Sequence, residues 1–259
     1  VGPISRTVAD CAMTLGAIAG HDPKDSYTAK LPVPDYLSEL EVGIQGLKVG
    51  VIAERVNTSA VDPQVRDAVT RAIAQLGELG GSIEEVTIPL IAQSAAISTA
   101  IIYADAAGVH RQGMEDHLKE YDYNVQVRLV AGSILPAQVH QKAVRLRHLL
   151  RQQILDALDK VDVLVMPTSS VPASLIPKAA GISSKEEFLQ MLKGRRSFTA
   201  PFNLANVPAM SVNCGFTTES LPVGLQIAGR PFDETTVFRA AHAYEQSTEW
   251  HTRRPPPPA

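Results

Sequence analysis

The sequence predicts an α/β protein with a mixed, largely parallel sheet flanked by helices. Three observations predict it. Short runs of strand length, most of them apolar and rich in β-branched residues, occur at Leu47–Ala53, Ser82–Ile88, Val161–Met166, Ala209–Cys214 and Val223–Ile227. Segments with apolar residues at helical spacing lie between them. The first two runs are joined through one such segment by short links, which is a βαβ unit with a right-handed crossover in a parallel sheet.

In chain order, Thr7-Val8-Ala9-Asp10 reads as a capping-box variant, with Thr7 as N-cap and Asp10 at N3. The helix it opens runs through Ala12, Leu15 and Ile18 to Gly20, a natural residue just past a helix end. His21 to Ser26 is turn chemistry, and a polar, proline-containing loop continues to about Gln45. After the strand Leu47–Ala53, Asp62 is an N-cap followed by Pro63 at the first helical position. Val65, Val69, Ile73, Leu76 and Leu79 then repeat at helical spacing until Gly80-Gly81 stops the helix and Ser82 opens the second strand. Leu90 to Val109 is Ala/Ile-rich and helical. Pro136 to Asp159 is a long helix with Val139, Ala143, Leu146, Leu150, Ile154 and Leu158 on one stripe; its other face carries Lys142, Arg145, Arg147 and Arg151. Pro167-Thr168 ends the strand Val161–Met166. A Pro/Ala/Ser-rich loop and a short helix near Lys185–Leu192 follow, and Asp233–Thr248 is a terminal helix with Val237, Ala240, Ala241 and Tyr244 facing inward. Residues 252–259 form an extended proline-rich tail. No internal repeat is visible, and residues 1–259 read as a single domain.

Composition narrows the function classes. The 259 residues carry 24 basic and 27 acidic side chains, a formal net charge of −3, which offers no nucleic-acid or membrane surface. No apolar run approaches the ~18 residues of a membrane span. The first residues do not read as a signal peptide. Cys11 and Cys214 form no metal or redox motif, so a reduced, cytoplasmic setting is the default. The chain starts at Val1 and enters a helix within a few residues, and so reads as the tail of a longer one. Oligomeric state is open, a homodimer included.

Four features invite a chemical reading. Gly80-Gly81-Ser82 looks like a nucleophile loop, because glycines let the backbone approach a substrate and present N–H groups to an oxyanion. Its position argues otherwise: it enters a strand at its N-terminal end, whereas open α/β sheets gather chemistry at the carboxyl ends. Cys214 ends a strand, yet a lone cysteine among apolar residues is a small buried hydrophobe. The histidines, His110 and His117 included, have no metal-ligand spacing. The basic face from Arg145 to Arg151 is a solvated helix face from which one arginine could reach a cleft.

Together, several ordered stretches resemble the amidase signature family, the amide hydrolases that use a Ser–cis-Ser–Lys triad. VGPISRTVADCAMTLGAIAGHDPKDS is similar to the family's segment of the same kind, with its GP, RTV, AG and DP pairs. VDVLVMPTSSVPA is similar to its strand followed by PT and PA. FTAPFNLANVPAMSVNCGF, with LPVGLQIAGRPFDETTVFRAAHAYEQSTEWHTRRP, is close to its C-terminal block. The resemblance implies an amidase-signature fold, incomplete here, and hydrolysis of a small-molecule amide to a carboxylate and an amine or ammonia, with no metal or cofactor. In that chemistry a buried neutral lysine takes a proton through a bridging serine from the nucleophilic serine.

The family places its lysine, its Gly/Ser-rich signature and its TDTGGSIR nucleophile loop ahead of the GP–RTV segment, which here is residues 2–8. The resemblance therefore carries no catalytic residue onto this chain, which is expected to be inactive alone. Ser82 lacks the Thr-Asp-Thr before it and the arginine after it. What the resemblance does imply is a share of the substrate pocket: Arg147, where the amidotransferase branch places an arginine for the substrate carboxylate, with Phe198, Phe202 and Asn203 beside the cleft. Arg196 stands where that branch keeps an acidic residue, and no NLARYDG-type segment is visible from Tyr103 to Gln112. Both departures favour a general amidase. The alternatives are a non-catalytic α/β binding or interaction module, and one half of a split amidase or amidotransferase subunit.

Overall fold

The five expected strands form and share one sheet. They are β1 (Lys48–Ile52), β2 (Ser82–Val86), β3 (Val163–Pro167), β4 (Ala209–Phe216) and β5 (Pro222–Ala228), in the order β2-β1-β3-β5-β4. β1 runs parallel to both β2 and β3, while β5 is antiparallel to both β3 and β4. The sheet is mixed because two kinds of connection build it. A parallel neighbour requires a crossover, whereas β4 reaches β5 through a tight turn that allows only the antiparallel arrangement. In that turn the Thr217 N–H donates to the Leu221 carbonyl at 2.9 Å, and Ser220 takes a positive φ of 61°.

The computed structural model describes residues 2–175, 184–187 and 198–254. It divides into two compact units, the first made of Val1–Thr87, Leu155–Pro172 and Val207–Ala259, the second of Ile88–Ile154 and Ala173–Asn206.

The first unit holds the sheet. β3 lies between β1 and β5 and is buried along its whole length, as its unbroken VLVMP sequence requires. Helix α1 (Val8–Ile18) starts as expected, with the Thr7 hydroxyl accepting the Asp10 N–H at 3.1 Å. It buries Val8, Cys11 and Ala12 and leaves Ile18 exposed. A single turn, α2 (Ala53–Val56), follows β1. Helix α3 (Pro63–Glu78) is capped by Asp62, whose carboxylate accepts the Gln64 N–H at 2.8 Å, and buries Val65, Ala68, Val69, Ala72 and Leu76. It lies against β2, β3, β4 and β5. The terminal helix lies against β3, β4 and β5, and also against α1 and the 3-10 turn Leu40–Val42.

The end of α3 is a Schellman motif. The Gly81 N–H donates to the Leu76 carbonyl at 3.0 Å, and the Gly80 N–H to the Gly77 carbonyl at 3.0 Å. That pattern needs a left-handed residue just past the helix, and Gly80 supplies it with φ 95°. The Ser82 N–H then donates to the Leu47 carbonyl at 2.8 Å, and Ser82 pairs with Lys48 as the first residue of β2.

The second unit is helical. Helices α4 (Ser94–Val109) and α6 (Tyr123–Ser133) pack closely where Gly132 meets the backbone carbonyl of Tyr103, leaving no room for a β-carbon. No element was expected between residues 110 and 135; the structure places α5 (Arg111–His117) and α6 there. The α6 signals are short: Asp122 caps Asn124 at 2.9 Å, and only Leu129 and Gly132 are buried. Helix α7 (Ala137–Leu158) belongs to this unit as far as Ile154 and buries Ala143, Leu150 and Ile154 of its expected stripe, while Val139 in its first turn is exposed; its last residues, with the buried Leu158, belong to the first unit. Of the helix expected near Lys185–Leu192, residues 185–187 are helical and the rest lie outside the described residues, as do residues 255–259 of the tail. Helix α8 (Ala200–Ala205) closes the second unit, and α9 (Glu234–Gln246) is the terminal helix of the first.

Gly80→Ala should lower stability by about 1–2 kcal/mol, because an L residue at this φ is strained and its β-carbon meets the Gln45 side chain. Ser82→Ala should change it by less than about 0.5 kcal/mol. Urea unfolding followed by circular dichroism compares the two.

Candidate functional site

Ser82 is exposed at the N-terminal end of an edge strand. Among the described residues its hydroxyl has no hydrogen-bond partner, and so no base is poised to take its proton. The two glycines before it commit their N–H groups to the helix end, at Leu76 and Gly77, and present none to an oxyanion. The loop has the letters of a nucleophile site without its geometry.

The residues expected to shape a substrate pocket all fall in the second unit: Arg147 on α7, Phe202 and Asn203 on α8, and Phe198 two residues ahead of α8. Arg147 is half-buried. Its Nε donates to the Leu204 carbonyl at 2.9 Å and its Nη2 to the Asn206 side-chain oxygen at 3.1 Å. One turn on, Arg151 reaches the Asn206 carbonyl at 3.4 Å. The two arginines thus meet the C-terminal end of α8, where free carbonyls carry partial negative charge. Asn206 makes this possible by ending α8 in the left-handed region, at φ 51° and ψ 54°. Among the described residues Arg147 Nη1 has no hydrogen-bond partner. A guanidinium held through two of its nitrogens and open at the third is pre-organised for an anionic or carbonyl oxygen.

Phe198 and Phe202 are 1 % exposed and so act as packing residues around α8, while Asn203 is exposed. Pro201 at the start of α8 fits the first helical turn, where its missing N–H costs nothing. Arg196, the residue that departs from the amidotransferase pattern, lies outside the described residues.

The other candidates resolve simply. Cys214 is buried, and burial pushes its thiol up to about 12, which removes the thiolate a nucleophile needs. His110 meets the Tyr121 hydroxyl at 3.3 Å, and His117 pairs with Glu120 on the surface. No group of three or more His, Cys, Asp or Glu among the described residues is placed to hold a metal ion.

A hydroxyl pair escaped the sequence reading. Thr168 Oγ1 and Ser211 Oγ stand 2.6 Å apart in the first unit, just past the carboxyl end of β3. Gly224 on β5 lies against both, since a β-carbon there would sit 2.6 Å from Ser211 Oγ and 2.8 Å from Thr168 Oγ1. The pair can orient a ligand by hydrogen bonding, but no lysine or histidine among the described residues hydrogen-bonds to either hydroxyl. Position after a buried strand was the available signal for Thr168; Ser211 becomes its neighbour only through the β3-β5-β4 order.

The amidase family model matches residues 1–238. The chain belongs to the amidase family. A glutamyl-tRNA(Gln) amidotransferase subunit of Moorella thermoacetica is 39% identical over 278 residues, covering 98% of this chain and 55% of that protein. An amidase of Pseudomonas putida is 34% identical over 254 residues, covering 98% and 54%. Among solved structures, the corresponding glutamyl-tRNA(Gln) amidotransferase subunit of Thermotoga maritima superposes with a TM-score of 0.77 at 31% identity, covering 96% of this chain and 53% of that one. A bacterial aryl acylamidase of the amidase signature family shares the fold, with a TM-score of 0.79 at 20% identity. The chain therefore spans about half the length of the relatives it matches. Those relatives include amidotransferase subunits as well as amidases, so the family membership covers both branches weighed from the sequence.

Arg147→Ala should cost about 1–3 kcal/mol, because the Leu204 carbonyl and the Asn206 side chain lose a charged donor. Arg147→Lys should recover little of it, since an ammonium cannot reproduce the fork. Thermal unfolding of the three proteins measures the difference.

Proposed function

We propose that this chain is the C-terminal part of an amide hydrolase, supplying substrate-binding surface while the Ser–Ser–Lys machinery lies outside it. The observation that carries this reading is Arg147, fixed at two nitrogens and, among the described residues, without a hydrogen-bond partner at the third. In this reading Arg147 receives the carboxylate or acyl oxygen of a small-molecule amide, and Asn203 borders the same surface. Phe198 and Phe202 hold α8 so that its end can fasten the arginine. The reaction is hydrolysis of the amide to a carboxylate and an amine or ammonia, and it needs a proton acceptor and a nucleophile from elsewhere. The formal charge of −3 gives no electrostatic support to nucleic-acid binding.

A second reading makes the chain one part of a glutamyl-tRNA(Gln) amidotransferase. It is favoured by the 39% identity, across 98% of this chain, to the Moorella thermoacetica protein. Arg196 and the missing NLARYDG-type segment weigh for the general amidase.

The purified chain should release no ammonia or amine above the buffer background from aliphatic amides, aryl amides or glutamine. Turnover that co-elutes with the 27.8 kDa chain would overturn the assignment of the catalytic groups to sequence outside it.

A further inference from the structure

The most unusual charge arrangement in the first unit surrounds His242 on α9. Its side chain is only 7% exposed, yet each ring nitrogen faces a carboxylate. Nε2 lies 3.0 Å from Glu41 Oε1, on the 3-10 turn Leu40–Val42. Nδ1 lies 4.0 Å from Glu245 Oε2, one turn along α9. Glu41 is 90% exposed, whereas Glu245 is 8% exposed. The other Glu245 oxygen accepts the Val8 N–H at 3.0 Å, at the first turn of α1. One imidazole therefore stands between two chain segments more than two hundred residues away in sequence.

The proton count makes this arrangement conditional. A neutral imidazole has one N–H. If Nε2 carries it, toward Glu41, the Nδ1 lone pair faces a carboxylate oxygen. His242 Nδ1 and Glu245 Oε2 are indeed both buried without a hydrogen-bond partner among the described residues. Buried polar atoms left unpaired are costly and rare. An imidazolium has a donor on both sides, satisfies Glu41 and neutralises the buried Glu245.

We propose that His242 is a proton-operated latch: its protonated ring clamps the Leu40–Val42 turn and the start of α1 onto α9, and loss of the proton loosens both.

The surroundings fit this role. Burial raises the Glu245 carboxyl above its usual range, opposed by the Val8 N–H, His251 and His242, with Asp10 of α1 raising it further. A carboxyl raised in the folded state contributes stability below its ordinary value and loses it as pH rises through the raised value. Arg239 on α9 is engaged with the Gly43 carbonyl at 2.5 Å. Arg71 of α3 and Cys214 of β4 act on Tyr244 instead. β3 and β5 carry no titratable side chain. The segment the latch would free is otherwise held to α9 by the Tyr36–Phe238 ring pair, 5.7 Å between centroids, and by Arg239, so loosening should be local.

Hydrogen exchange of the full chain, corrected for intrinsic rates, tests this between about pH 5.5 and about pH 8.5, either side of the ordinary imidazole range. Protection of peptides from α1 and from residues 36–46 should fall about tenfold on going to high pH, while α3 peptides keep theirs. His242→Gln, which keeps a donor for Glu41, should flatten that dependence. Glu41→Gln, an exposed change that leaves the core intact, should flatten it for residues 36–46 alone. Equal loss of protection in α3, no loss at all, or unchanged pH dependence in Glu41→Gln would overturn the latch.

Discussion

Everything in the first unit is referred to β3, a strand with no solvent-facing side. Val163, Leu164, Val165 and Met166 are all 0% exposed, so each neighbour of β3 must be a strand or a helix and neither face can open to water. Backbone groups on such a strand must be satisfied by other strands, here β1 on one side and β5 on the other. Asp162 fastens the start of β3 to its surroundings: one oxygen accepts the Lys48 N–H at 2.9 Å, and the other takes Arg230 at 3.3 Å. Gly50, on β1, completes the fit by leaving space for Val161, Leu164 and Val86, where a β-carbon would come within 2.8 Å of the first.

Much of this was legible in the sequence because it is local. Thr7, Asp62 and Gly80 act within a few residues of themselves, and a cap is written where it works. The βαβ unit from Leu47 to Ile88 follows from period and punctuation alone. The sheet order was not legible, because whether β5 lies beside β3 depends on the packing of two complete faces. The same limit hid the Thr168–Ser211 pair and the surroundings of His242. Those residues are distant in sequence, and only the strand order and the docking of α9 bring them together. The 110–135 stretch was missed for a different reason: α6 buries just Leu129 and Gly132, too few to make a periodic signal.

Arg147 shows that a family resemblance and a geometry are separate evidence. The resemblance singles the residue out. The structure adds that its guanidinium is fastened to the end of α8 through Leu204 and Asn206, with Nη1 unpaired among the described residues. An arginine held in that way loses little freedom on meeting a ligand. Ser82 is the converse case. It matches four letters of a nucleophile loop, yet its two glycines are consumed in ending α3 and its own N–H in starting β2. A reactive serine needs a base within reach and donors aimed at the developing oxyanion, and neither accompanies it among the described residues.

That contrast is the centre of the account, and it can be tested at one atom. The folded chain is treated with a fluorophosphonate, digested, and the peptide containing Leu76 to Val86 is weighed. The account predicts an unmodified mass, because Ser82 Oγ is an ordinary hydroxyl at the joint between α3 and β2. An adduct localised to Ser82 would contradict it and make the Gly80-Gly81-Ser82 loop an active site.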